Sequence, residues 1–105
     1  MERRIECIVR GNMNEVKADY AKKIEAEAER IGITGMIEDR GSVYRVIAEG
    51  DEELLKRFIT FLYEGVSGVH VVDVETLWYD TKMEFLNFKI KEALDEEDNE
   101  AESSY

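Results

Sequence analysis

Apolar and polar residues alternate over residues 3–10, with Ile5, Cys7 and Val9 on one side and Arg4, Glu6, Ile8 and Arg10 on the other. A period of two predicts a strand with one face in a core. Gly11 to Asn14 breaks the pattern, and Asn14 is a suitable N-cap for a helix whose first turn gains an acid from Glu15. From 15 to 30 the spacing changes to that of a helix. Val16, Tyr20, Ile24, Ala28 and Ile31 form one stripe, and Asp19, Lys23, Glu27 and Arg30 lie three or four apart on the outer side. Gly32 stands where a helix ends in a left-handed cap. Extended segments follow at 33–37 and 43–48, joined by a turn at Glu38, Asp39, Arg40 and Gly41. Asp51 caps a second helix with the stripe Leu54, Leu55, Phe58, Leu62 and an exit at Gly65 and Gly68. A long strand is expected at 69–79, with Val72, Val74, Thr76 and Trp78 on one face and Val71, Asp73, Glu75, Leu77 and Tyr79 on the other. A last short strand is expected at 85–90, with Phe85, Phe88 and Ile90 apolar. The order is β-α-β-β-α-β plus one strand.

Length and charge narrow the picture. A chain of 105 residues is one domain, able to bury a single core. The net charge is −11, and residues 93–105 hold Asp95, Glu96, Glu97, Asp98, Glu100 and Glu102 with no base, which leaves −5 for residues 1–92. The first segment reads as the folded domain and the second as a disordered, solvating acidic tail. Such a balance repels polyanions, so nucleic acid is not an expected partner. The single Cys7 has no disulfide partner within the chain, the N-terminus lacks an apolar signal core, and no run approaches the ~18 apolar residues of a membrane span. A soluble, cytoplasmic protein with no membrane partner is expected.

Candidate chemistry is thin. His70, the only histidine, sits among valines on a strand, and Cys7 offers it no nucleophile-base pairing. Asp19, Glu38 and Asp39 are hard-oxygen donors, but their spacing matches no cation loop and reads as a solvated patch, so neither metal nor cofactor is expected. Tyr44, Trp78 and Tyr79 lie on strands and could form a stacking surface of the RNA-binding kind; the acidic balance favours core packing or a subunit contact instead. An exposed sheet edge is a place where two copies can pair as a homodimer.

The run Ile31, Gly32, Ile33, Thr34, Gly35, the hairpin into Ala48, Glu49, Gly50, Asp51, and the segments Val72, Asp73, Val74, Glu75 and Phe85, Leu86, Asn87, Phe88, Lys89, Ile90 together resemble the acylphosphatase family. The resemblance spans residues 3–91. It implies an α+β, ferredoxin-like sandwich, an antiparallel sheet with two helices on one face, and metal-free hydrolysis of the carboxyl-phosphate bond of small acyl phosphates. It also implies two site elements. One is a glycine-rich loop after the first strand that wraps phosphate in backbone N–H groups and ends in an arginine. The other is an asparagine, at the end of the second strand, that orients water.

Here the loop reads Gly11, Asn12, Met13, Asn14, Glu15, Val16, Lys17. Counted from Gly11 the arginine position falls on Asp19; counted back from Ile31, Gly32 and Ile33 it falls on Ala21, the count preferred here. The asparagine position holds Asp39. Like charges at about 4 Å repel by about 1 kcal/mol per pair in water and more in a cleft. With these replacements no catalytic residues are expected at the family positions, and a catalytically inactive binding or interaction module with an unknown ligand or protein partner is the expected function. The alternative is an acylphosphatase whose phosphate-binding cation has moved to Lys17, Lys22, Arg10 or Arg40. A third reading is a cation-binding module built on the acids.

Overall fold

A computed structural model describes residues 1–12 and 17–91. Five strands and two helices follow one another as β1 (Glu2–Asn12), α1 (Lys17–Ile31), β2 (Thr34–Asp39), β3 (Tyr44–Asp51), α2 (Glu52–Glu64), β4 (His70–Asp80) and β5 (Phe88–Lys91). The sheet order is β4-β1-β3-β2-β5, with both helices packed on one face. This is the expected ferredoxin-like α+β architecture with one correction to the expected antiparallel sheet. β5 runs parallel to β2, with Gly35 opposite Phe88 and Ile37 opposite Ile90, so the sheet is mixed. The expected helix start at 15 and the Asn14 cap lie outside the described residues, as do the loop positions Met13, Asn14, Glu15 and Val16 and the acidic tail.

Local chemistry explains the corners. α1 closes with a Schellman motif: Ile33 N–H donates to the Ala28 carbonyl at 2.8 Å and Gly32 N–H to the Glu29 carbonyl at 3.3 Å, with Gly32 at φ +86°. α2 opens on Asp51, whose carboxylate accepts the Glu53 N–H at 3.1 Å. Between helices and sheet lie Ile5, Val9, Ile24, Ile37, Val46, Leu55 and Phe58, all buried. Phe88 of β5 meets Phe58 of α2 edge-on at 5.8 Å, so the last strand completes the core as well as the sheet.

Two expected details shift. Opposite Arg10 and Gly11, β4 steps from Asp73 to Val71, leaving Val72 as the extra residue of a β-bulge. Val71 therefore packs on the core and Val72 is exposed, the reverse of the expected alternation. Phe85 lies before β5 and on the opposite face of the sheet from the helices, its ring 5.8 Å from the Arg4 guanidinium.

That outer face holds a buried ion network. Arg4 reaches Glu49 at 3.1 Å, Glu84 at 2.6 Å and Glu6 at 3.3 Å, while Glu49 also accepts the N–H groups of Lys82 and Glu84 at 3.0 Å each. The β4–β5 connection is thereby pinned across β1 and β3. Burial alone would raise the Glu49 pKa; the Lys82 N–H, the Arg4 guanidinium and the Glu84 N–H outweigh it and hold the carboxyl below its usual range. A depressed carboxyl pKa contributes stability above the unfolded-state value and loses it as pH falls. Lowering pH from about 6 to about 3 is expected to reduce the urea midpoint more steeply in the parent than in Glu49→Gln. Parallel pH profiles would remove Glu49 as a source of acid sensitivity.

Candidate active site

β1 and β2 both pair antiparallel with β3, so their C-terminal ends lie at the same end of the sheet. Val9, Tyr44 and Asp39 are register partners across the three strands, which puts Asp39 about 10 Å from Val9, just before Gly11. Their side chains share the helix face. Tyr44 is buried there, its ring 5.5 Å from that of Tyr20 in the first turns of α1. Tyr20 in turn donates its hydroxyl to the Leu62 carbonyl at 2.7 Å, fixing the start of α1 against the end of α2. The end of β1, the start of α1 and the end of β2 thus converge.

Asp39 sits at the rim of this corner. Its Oδ1 accepts the Gly41 N–H at 2.8 Å, inside a hairpin closed by the Arg40 N–H donating to the Val43 carbonyl at 2.9 Å. Burial chiefly, and then the nearby Asp39 charge, pushes the Tyr44 phenol up to about 12. On the reverse face Glu38, only 1% exposed, is opposed by two guanidinium groups: Arg40 at 3.3 Å and Arg45 at 3.5 Å, both on Oε1. Arg10, at the end of β1, is engaged at 3.2 Å by each of Asp73 and Glu75.

The two positions counted for the family's arginine differ sharply in surroundings. Asp19 is exposed on the first turn of α1, whereas Ala21 is 3% exposed and part of the core. A long cation at 21 would displace core packing, whereas a side chain at 19 stands on the exposed side of α1. Gly11 and Asn12 end β1, and α1 begins at Lys17. Lys22 is exposed on α1, and His70 is an exposed first residue of β4. Asp39 and Glu38 point to opposite faces of β2, so the acids grouped by the sequence are divided; among the described residues no three His, Cys, Asp or Glu side chains form a metal-ligating group. Tyr44 and Trp78 face the helices, while Tyr79 faces outward, which splits the supposed aromatic surface. Sequence reasoning missed the Arg40–Glu38–Arg45 cluster. Its signal was the i, i+2 spacing of Glu38, near the end of β2, and Arg40, just after it.

The acylphosphatase family model matches residues 5–90. A protein from Caldanaerobacter subterraneus subsp. tengcongensis named acylphosphatase is 34% identical over 92 residues, covering 86% of this chain and 99% of its own. The chain belongs to the acylphosphatase family. A second acylphosphatase, from Dehalococcoides mccartyi, is 31% identical over 90 residues, covering 83% and 96%. Among solved structures, the acylphosphatase from Bacillus subtilis superposes with a TM-score of 0.77 at 21% identity, over 84% of this chain and 97% of that one. These relatives overturn the expectation of an inactive binding module. That expectation weighed charges at single positions, whereas the similarity to proteins named for the enzyme runs through nearly the whole domain. No described helix is long and apolar enough to cross a membrane.

Proposed function

We propose that this protein is an acylphosphatase, hydrolysing the carboxyl-phosphate bond of acyl phosphates with a relocated cation. The observation that carries the reading is the near full-length similarity to acylphosphatases. Water attacks phosphorus, the bond from phosphorus to the carboxyl oxygen breaks, and the carboxylate leaves with the electron pair. Water and an acyl phosphate dianion thus give a carboxylate and dihydrogen phosphate. A carboxylate leaving group, with a conjugate-acid pKa of about 4, needs no proton from the enzyme. The catalytic demand falls on orienting water and stabilising charge on the phosphoryl oxygens.

Asp39, anchored by the Gly41 N–H, is assigned to accept a hydrogen bond from the attacking water. Arg40 is assigned as the phosphate-binding cation. It follows Asp39 directly in the chain and is half-exposed, with its guanidinium in this structure on the reverse face, where it shares Glu38 with Arg45. Arg40 can therefore turn to phosphate while Arg45 keeps the buried Glu38 carboxylate compensated.

Steady-state hydrolysis of benzoyl phosphate tests both parts. The parent is expected to turn over, Arg40→Ala to lose about 100-fold in kcat/KM, and Lys22→Ala to stay near the parent. An inert parent sinks the enzyme reading. An active parent with an unimpaired Arg40→Ala sinks only the cation assignment and turns attention to Lys17.

A further inference from the structure

On the outer face, away from the helices and from Asp39, a cleft of about 470 Å3 lies over the β2–β5 pair. This is within the size range of small-molecule sites, about 300–1,000 Å3. Met36 lies in it, Phe85 and Leu86 of the β4–β5 connection give it apolar surface, and Lys89 and Lys91 line it along β5. Period two sets both lysines on the same face as Met36, their register neighbour being β2.

Two observations make this more than a dent in the surface. Neither lysine forms an ion pair with a described residue, although Arg4, Arg10, Arg40 and Arg45 on the same sheet face are all matched with carboxylates. Glu84, the acid on the cleft wall, has its carboxylate committed to Arg4 at 2.6 Å. In a chain of net charge −11, two uncommitted cations on one strand, beside a Leu86 that is 98% exposed, form an amphipathic surface.

We propose that this cleft binds an amphipathic anion: a carboxylate or phosphate head held by Lys89 and Lys91, with an alkyl or aryl body against Met36, Phe85 and Leu86. The cleft offers both cations and apolar surface, which a small polar anion or a neutral hydrocarbon would each satisfy only by half. The site is independent of the hydrolytic assignment, because none of its residues has a role there.

The test is a titration of the 15N-labelled full chain with octanoate, octyl phosphate and octylammonium, followed by amide chemical shifts. Saturable shifts centred on residues 35–36 and 84–91 are expected from both anions, with octylammonium weaker by about tenfold or more. Tighter octyl phosphate assigns a phosphate head, and tighter octanoate a carboxylate head. Lys89→Glu/Lys91→Glu is expected to weaken either anion by about tenfold or more. A second variant, Leu86→Asp, should weaken it through the apolar wall alone, so a fold defect in one variant does not decide the matter. Unmoved amides, shifts centred elsewhere, or octylammonium binding as well as octanoate would overturn the proposal, whether or not benzoyl phosphate is hydrolysed.

Discussion

Gly35→Ala is expected to remove most of the stability of the fold, about 4 kcal/mol or more. A Cβ at Gly35 would stand 1.9 Å from the Ile47 carbonyl oxygen and 2.8 Å from the Ala48 Cα, and the residue holds φ +147°. The obstacles are backbone, so no rotamer change relieves them. Ala48 and Ile47 are the ladder partners of Gly35 and Met36, and retreat of β3 would open the β2–β3 pair. The Gly35 N–H also donates to the Asn87 carbonyl at 3.0 Å, so β5 would lose its anchor in the same movement. Gly32→Ala is the matched comparison: it too has positive φ, but among the described residues no atom lies within 4 Å of an added Cβ. It should cost only about 1–2 kcal/mol, the conformational penalty alone. Urea denaturation of the two variants reads the contrast directly, and a Gly35→Ala protein within about 1 kcal/mol of the parent would refute the close-approach argument.

Arg4→Met should cost about 3 kcal/mol, lowering Tm by roughly 15 °C for a domain of this size. Met keeps much of the apolar stem but deletes the guanidinium that serves Glu6, Glu49 and Glu84. Glu49 is 4% exposed and would remain as a buried carboxylate with only two backbone N–H donors. The double variant Arg4→Met/Glu49→Gln removes both buried charges and is expected to recover part of the loss, a coupling that a double-mutant cycle measures. A loss below about 1 kcal/mol for Arg4→Met would place the network with ordinary surface pairs.

Much of this fold was legible because its punctuation is chemical. Gly32 after a helical stripe and Asp51 before one are demanded by unpaired backbone groups at helix ends, and both act as the sequence predicts. The parallel placement of β5 was not legible, since alternation reveals which face is buried and carries no information about strand partners. The bulge was hidden for a related reason: Val69, Val71 and Val72 are alike in chemistry, so nothing in the run marks where the phase slips. At the candidate site, counting along the chain left Asp19 and Ala21 as rivals. A two-residue shift rotates a helix position by about 200°, and only the packing of α1 shows which of them enters the core. Arg40 was named among several cations, but the sharing of Glu38 with Arg45 depends on the hairpin between β2 and β3 bringing residues seven apart into register.

The parallel seat of β5 has a consequence for synthesis. Phe88 closes the core against Phe58, and Gly35 is paired with a residue 53 positions further along the chain. During translation the β2–β3 hairpin and both helices can form while the edge of β2 and the apolar space beside Phe58 stay open, because the side chain that fills it is made after all the other strands. The nascent domain should therefore carry an unfilled apolar groove until the final strand clears the ribosome, then lock in one late, non-local step.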